Sequence, residues 1–331
     1  MKIPARVITH TTRFRPAYLR ELTLAQLRAR AEELREMLKE CRLCPRECGA
    51  LRTVGQYGVC RIAEQVIVSG ASPHYGEEPV LVGRHGSGTI FFSSCNLKCL
   101  FCQNYDISHL RSGRFVSNEE LANLMLSLQA MGCHNINLVT PTHVAAQIVE
   151  ALVLAVERGL RLPLVYNCGG YESVETLRLL DGIVDIYMPD IKYSSNQMAK
   201  RWSGAADYWD VVRLAVKEMH RQVGDLITDE LGIARRGLLV RHLVLPNDVA
   251  GSEAVLEFVA HEISVDTYIN IMDQYYPAFK ARNLPPLNRR IRTEEYERVI
   301  AFARSLGLHR GFGGEEDGVW CYNRASAPDQ R

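Results

Sequence analysis

Seven of the ten cysteines in this 331-residue chain fall into two short groups, and their spacing is the first thing in it that could do chemistry. Cys41, Cys44, Cys48 and Cys60 form one group, Cys95, Cys99 and Cys102 the other, while Cys133, Cys168 and Cys321 stand apart. The second group, Cys95-Asn96-Leu97-Lys98-Cys99-Leu100-Phe101-Cys102, is a Cys-x3-Cys-x2-Cys loop. Three closely spaced thiolates on a loop can ligate three irons of a cubane cluster. One iron then keeps an open position, which separates a reactive centre from a saturated one, as it separates catalytic from structural zinc sites. The competing reading is a zinc loop or three unrelated buried thiols. The first group, Cys41-x2-Cys44-x3-Cys48-x11-Cys60, supplies four thiolates. Four saturate either Zn2+ or a second cubane, so this site is closed and its role structural or electron-relaying. Spacing does not choose between zinc and iron, and Arg42, Arg46 and Arg52 are placed to offset the thiolate charge.

The elements that must position these groups follow from periodicity. A helix is expected from Thr23 to about Glu40, opened by a Thr23/Gln26 capping box, with Leu24, Leu27, Ala31, Leu34 and Leu38 on one face. Short β-branched runs predict strands at 89–93, 135–140, 164–167, 183–188, 238–245 and 268–272. Helical stretches are expected at 117–131, 144–157, 174–180, 252–261 and 293–306. Strand–helix alternation implies right-handed βαβ units and a parallel sheet, hence an α/β fold. Six units are too few for an eight-stranded barrel and fit a doubly wound sheet or a partial barrel. The division expected is 1–63 for the N-terminal helix and four-cysteine segment, 64–285 for the core, and 286–331 for a C-terminal helix and tail.

Composition narrows the partners. Hydrophobic residues at 47 % and charged residues at 23 % suit a globular protein. A net charge of +1 argues against a nucleic-acid binder held by phosphate contacts. Met1 to Pro16 has no apolar signal-peptide core, and no window reaches the roughly 18 apolar residues of a membrane span. The chain therefore reads as cytoplasmic, and ten cysteines in a reducing compartment point to metal or redox chemistry rather than disulfides.

The Cys-x3-Cys-x2-Cys loop with aromatic Phe101 before its last cysteine resembles the signature of the radical S-adenosylmethionine superfamily. The run from Gly88 to Asn104 is similar to the branch related to pyruvate formate-lyase activating enzyme, with a likeness extending from about Cys41 to Gly307. The resemblance implies a partial (β/α)6 barrel, a [4Fe-4S] cluster on Cys95, Cys99 and Cys102, and S-adenosylmethionine as cofactor. It implies reductive cleavage to a 5′-deoxyadenosyl radical that abstracts hydrogen, a flavodoxin- or ferredoxin-like electron donor, and a glycyl-radical protein as one substrate. A small molecule or peptide is the alternative substrate, and a non-catalytic electron-transfer module the alternative function.

Further positions line up with the branch. Asp190 and Lys192 match an Asp-x-Lys at the fourth strand end, where the Asp holds a monovalent cation or the nucleotide and the Lys approaches nucleotide or substrate. Met188 matches a position that can face that cation. Asn167 replaces a cation- or nucleotide-binding Asp and loses its charge, and Cys168 beside it is either a substrate-facing thiol or a small buried hydrophobe. Relatives carry a Gly-Gly-Glu-type segment after the second strand. Here Thr140 and Thr142 offer backbone carbonyls instead, and His143 is an acid/base candidate or a polar helix opener. Arg241 and His242 alternate faces, so one of them points into the barrel. His74, Glu77 and Glu78 precede the first strand and either help form the lip of the site or read as a solvated polar loop.

Overall fold

The computed structural model describes residues 14–312; Cys321 and the ends of the chain lie outside them. The strands are β1 (Val66–His74), β2 (Ser87–Phe92), β3 (Arg114–Val116), β4 (Ile136–Val139), β5 (Leu164–Cys168), β6 (Ile186–Pro189), β7 (Ile227–Thr228), β8 (Ala234–Leu243) and β9 (Tyr268–Met272). They form a single sheet in the order β3-β1-β2-β4-β5-β6-β8, with β7 and β9 on β8. The six expected strands are β2, β4, β5, β6, β8 and β9, and every neighbouring pair among them is parallel. Helices such as Asn118–Ala130, Ala145–Glu157 and Ser252–Phe258 return the chain between them. The arrangement is an unclosed partial (β/α)6 barrel.

Two apolar layers hold it together. Inside the barrel Val165, Ile186, Met188 and Leu239 pack with Leu81 and Tyr268. Outside, the main core lies between the sheet and its helices and runs from Tyr18 to Leu308. The helix Leu24–Glu36 joins that layer. Its capping box is formed, Gln26 N–H reaching Thr23 Oγ1 at 3.2 Å, and its buried Leu27, Ala31 and Leu34 face the helix Ala145–Glu157. The four-cysteine segment thus packs against the outside of the barrel and shares its core.

Three features depart from expectation. β1, β3 and β7 are additional, and all three pair antiparallel. The helices Asn196–Ser203 and Tyr208–Val223 fill what reads as a long connection. Most consequential, the turn between β1 and β2 is no solvated loop. It folds into the N-terminal end of the barrel, burying Leu81 completely and leaving Glu78 6 % exposed.

β8 passes close to the chain at Asp225–Leu226, and only glycine tolerates the crossing. Gly237 has φ +126°, and a Cβ there would lie 2.4 Å from Asp225 O. Gly237→Ala is expected to cost roughly 2–4 kcal/mol from strain and overlap together. Urea unfolding followed by circular dichroism measures it, and an unchanged midpoint would show that the strand yields.

Candidate functional site

The three-cysteine loop crosses the C-terminal mouth of the barrel, where parallel βα folds gather their active sites. It is held from three sides. The last carbonyls of the helix Asn196–Ser203, otherwise without intrahelical partners, accept from the loop: Ser203 O from Lys98 N–H at 3.0 Å and Trp202 O from Leu100 N–H at 2.8 Å. Asn96 Nδ2 donates to Tyr171 O at 2.7 Å, and His109 Nε2 meets Cys99 O at 3.0 Å. Phe101 packs edge-on against Tyr193 and Tyr275, with centroids 6.3 and 6.1 Å away. Before the loop, Ser94 takes a left-handed φ of +78°, which turns the chain out of β2.

Each loop sulfur accepts one hydrogen bond. Leu97 N–H donates to Cys95 Sγ at 3.3 Å, Ser203 Oγ to Cys99 Sγ at 3.0 Å, and Ser108 Oγ to Cys102 Sγ at 3.1 Å. Donors aimed at sulfur favour the thiolate and tune a bound cluster. Burial opposes this, pushing the Cys95 thiol up to about 12 and raising Cys99, so loading a metal here releases protons. Among the described residues no three His, Cys, Asp or Glu side chains close on one point as for a single ion. The donor set fits a cubane, in which each cysteine takes a different iron.

The loop forms one wall of a cavity of about 460 Å³ whose other walls are strand ends. Thr140, Asn167, Cys168, Asp190, Lys192 and Arg241 line it. Arg241 sits at its inner end, donating to Asp190 Oδ1 at 2.8 Å, Asn167 Oδ1 at 2.8 Å and Glu77 Oε1 at 3.1 Å. Lys192 Nζ reaches the other Asp190 oxygen at 2.6 Å. Glu77 also accepts from Asn137 and Asn167 at 3.0 and 3.2 Å. Burial alone would raise Asp190, but Arg241 and Lys192 outweigh it and hold its carboxyl below the ordinary value. Asp190 in turn raises Lys192 against its burial, so both stay charged. Burial raises Glu78, which accepts from Asn270 at 2.9 Å.

Several expectations change. Glu77 and Glu78 belong to the barrel interior; the apolar content of Pro79–Val82, which drags them in, was the available signal. His143 is buried at 1 %, its Nε2 against Ser93 O at 2.9 Å, and burial lowers its pKa to about 3. It faces the core rather than the cavity and is no acid/base there. Thr142 also leaves the cavity wall, its hydroxyl donating to Glu172 Oε1 at 2.6 Å. Thr140 stays on that wall in a left-handed conformation, φ +61°, unusual for a β-branched residue. Met188 packs in the barrel core. Where the resemblance implies a monovalent cation, the Arg241 guanidinium joins Asn167 to Asp190 and supplies the positive charge. His242 turns away from the cavity to Ile191 O and Ser252 Oγ. Glu172, absent from the sequence reading, is buried and pushed up to about 8 beside Cys168.

Residues 89–233 match the family model of the radical SAM superfamily. An uncharacterized protein of Methanocaldococcus jannaschii is 32 % identical over 289 residues, spanning 84 % of this chain and 78 % of that relative. A second from the same organism is 25 % identical over 319 residues, spanning 88 % and 87 %. Among solved structures, native anSMEcpe with bound AdoMet aligns at TM-score 0.44 and 10 % identity over 64 % of this chain and 57 % of that one. Methylornithine synthase aligns at TM-score 0.45 and 16 % identity over 66 % and 61 %. The alignments thus span less than two thirds of those two solved chains.

Asp190→Asn leaves two cations short of their shared counter-charge at a position 21 % exposed. Because pairing depresses Asp190, its contribution is present above the unfolded value of about 3.9 and is lost as pH falls through the lower folded value. The variant is expected to be less stable by about 2–3 kcal/mol near neutrality, with the gap closing below about pH 4. Urea midpoints of both proteins across that range test this, and a gap independent of pH would rule out an ionic origin.

Proposed function

The chain belongs to the radical S-adenosylmethionine superfamily, and we propose that it is an enzyme holding a [4Fe-4S] cluster through Cys95, Cys99 and Cys102 and directing radical chemistry at a peptide or protein segment. When bound, the cluster and S-adenosylmethionine together supply a 5′-deoxyadenosyl radical, made by one-electron cleavage of the S–C5′ bond, that abstracts a hydrogen atom.

One observation carries the reading: three thiol ligands, each with its own hydrogen-bond donor, share a cavity wall opposite the Asp190–Lys192–Arg241 charges. Lys192 and Asp190 face the cavity with opposite charges, which suits an amino-acid zwitterion such as the methionyl end of the nucleotide. The cavity's 460 Å³ lies at the small end of the range of about 300–1,000 Å³ for pockets enclosing one drug-sized ligand. A nucleotide beside a cluster uses that space. The substrate then reaches in from the mouth, as a peptide segment does, and this favours an activating-enzyme-like role. Apolar Phe91, Leu243 and Met272 on the same walls keep water from the reacting atoms. The electron donor fits the flavodoxin or ferredoxin class.

Reduced, reconstituted protein is expected to release 5′-deoxyadenosine from S-adenosylmethionine. No yield above the Cys99→Ala background would leave only the electron-transfer module. Deuterium passing into that product from labelled protein, rather than from a metabolite extract, is the expected mark of a peptide substrate. Lys192→Met is expected to weaken S-adenosylmethionine binding roughly tenfold, read by equilibrium dialysis.

A further inference from the structure

The segment carrying Cys41, Cys44, Cys48 and Cys60 contains a buried positive charge with no carboxylate to meet it. Arg52 is 1 % exposed. Its Nε donates to Ala63 O and its Nη1 to His143 O, both at 2.9 Å, and its Nη2 has no partner. Arginine does not discharge in proteins, so a buried guanidinium satisfied only by carbonyls demands an anion. What faces it is sulfur: Nη1 lies 3.7 Å from Cys41 Sγ, and its charge also acts on Cys60.

The four thiols are gathered although they are widely spaced in sequence. Cys41 and Cys60 lie in one buried core, with Cys48 packed against it. Gly58 keeps space open between two of them, since a Cβ there would lie 3.1 Å from Cys48 Sγ and 3.5 Å from Cys60 Sγ. Three of the four are buried with no disulfide among them. Four thiols in one segment with an unmatched buried cation against Cys41 make a site for a thiophilic, net anionic group.

Four thiolates close either a zinc ion or a cubane, and the contacts that join this segment to the loop at the cavity favour the group that can pass an electron. We propose that Cys41, Cys44, Cys48 and Cys60 hold a second iron–sulfur cluster, closed by four thiolates and countered from the protein side by Arg52. Its neighbourhood runs straight to the first: Cys60 O accepts the hydroxyl of Ser94, the residue before Cys95, and Arg46 Nε donates to Asn96 O at 2.9 Å. Lys98 lies within the field of both Cys60 and Cys95.

The test uses metal content, which does not depend on S-adenosylmethionine cleavage and so separates this site from the cavity cluster. Full-length protein with Cys95, Cys99 and Cys102 all replaced by Ala is purified anaerobically and assayed for iron, acid-labile sulfide and zinc. About half of the wild-type iron and sulfide should remain. Stoichiometric zinc without sulfide, or no metal at all, overturns the proposal. Because Cys44→Ser alone can unfold the segment, Arg52 provides the second arm. Arg52→Met in that background should release iron to a chelator at least about fivefold faster, and Arg52→Lys should restore much of the retention. Equal release from all three proteins would remove Arg52 from the site.

Discussion

Everything at the mouth of this barrel depends on one guanidinium being satisfied. Arg241 extends from β8 into a space of low dielectric, where an unmatched cation would cost several kcal/mol, and it is matched from three directions. Asp190 comes from the end of β6, Asn167 from β5, and Glu77 from the turn that enters from the opposite end. Each of these strands must therefore stop at the right level, and the plugging turn must be in place. The ladder Val139–Asn167–Met188 and the bridge between Asp190 and Arg241 fix those levels. A charge network spread over the sheet in this way ties the geometry of the site to the correctness of the fold.

The strands were legible because parallel strands buried on both faces read as short β-branched runs, and residues 268–272 come out as β9 without change. The three-cysteine loop was legible for a different reason: its spacing is local and needs no tertiary knowledge. What escaped depended on contacts made at a distance. The helix Asn196–Ser203 is eight residues long, too short for its period to stand out, yet its carbonyls hold the loop. Tyr208–Val223 does carry an apolar face at Val212, Ala215, Val216, Met219 and Val223, which the charged residues between them masked. Glu77 looked like surface because carboxylates belong there unless a cation is waiting inside, and Arg241 lies 164 residues further along the chain. His143, after a strand end, reads equally as an acid/base or as a helix opener; the second holds, because it sits in the turn that opens the helix Ala145–Glu157 and points into the core.

The N-terminal segment shows how a poor core former is kept in place. Between Glu40 and Glu64 the chain has little regular structure beyond a single 3-10 turn at Arg52–Val54. Its order comes from what it leans on: Arg52 against the carbonyl of His143, Thr176 donating to Leu43 O at 2.8 Å, and Arg35 on the preceding helix paired with Glu64 and Glu150. These contacts join it to the helical layer and to the start of the cysteine loop, so the two thiol groups are held on one frame.

The turn at the N-terminal end of the barrel also bears on where a ligand can enter. With Glu78 and Leu81 buried there, that end is filled, and the three-cysteine loop walls the cavity on the other side.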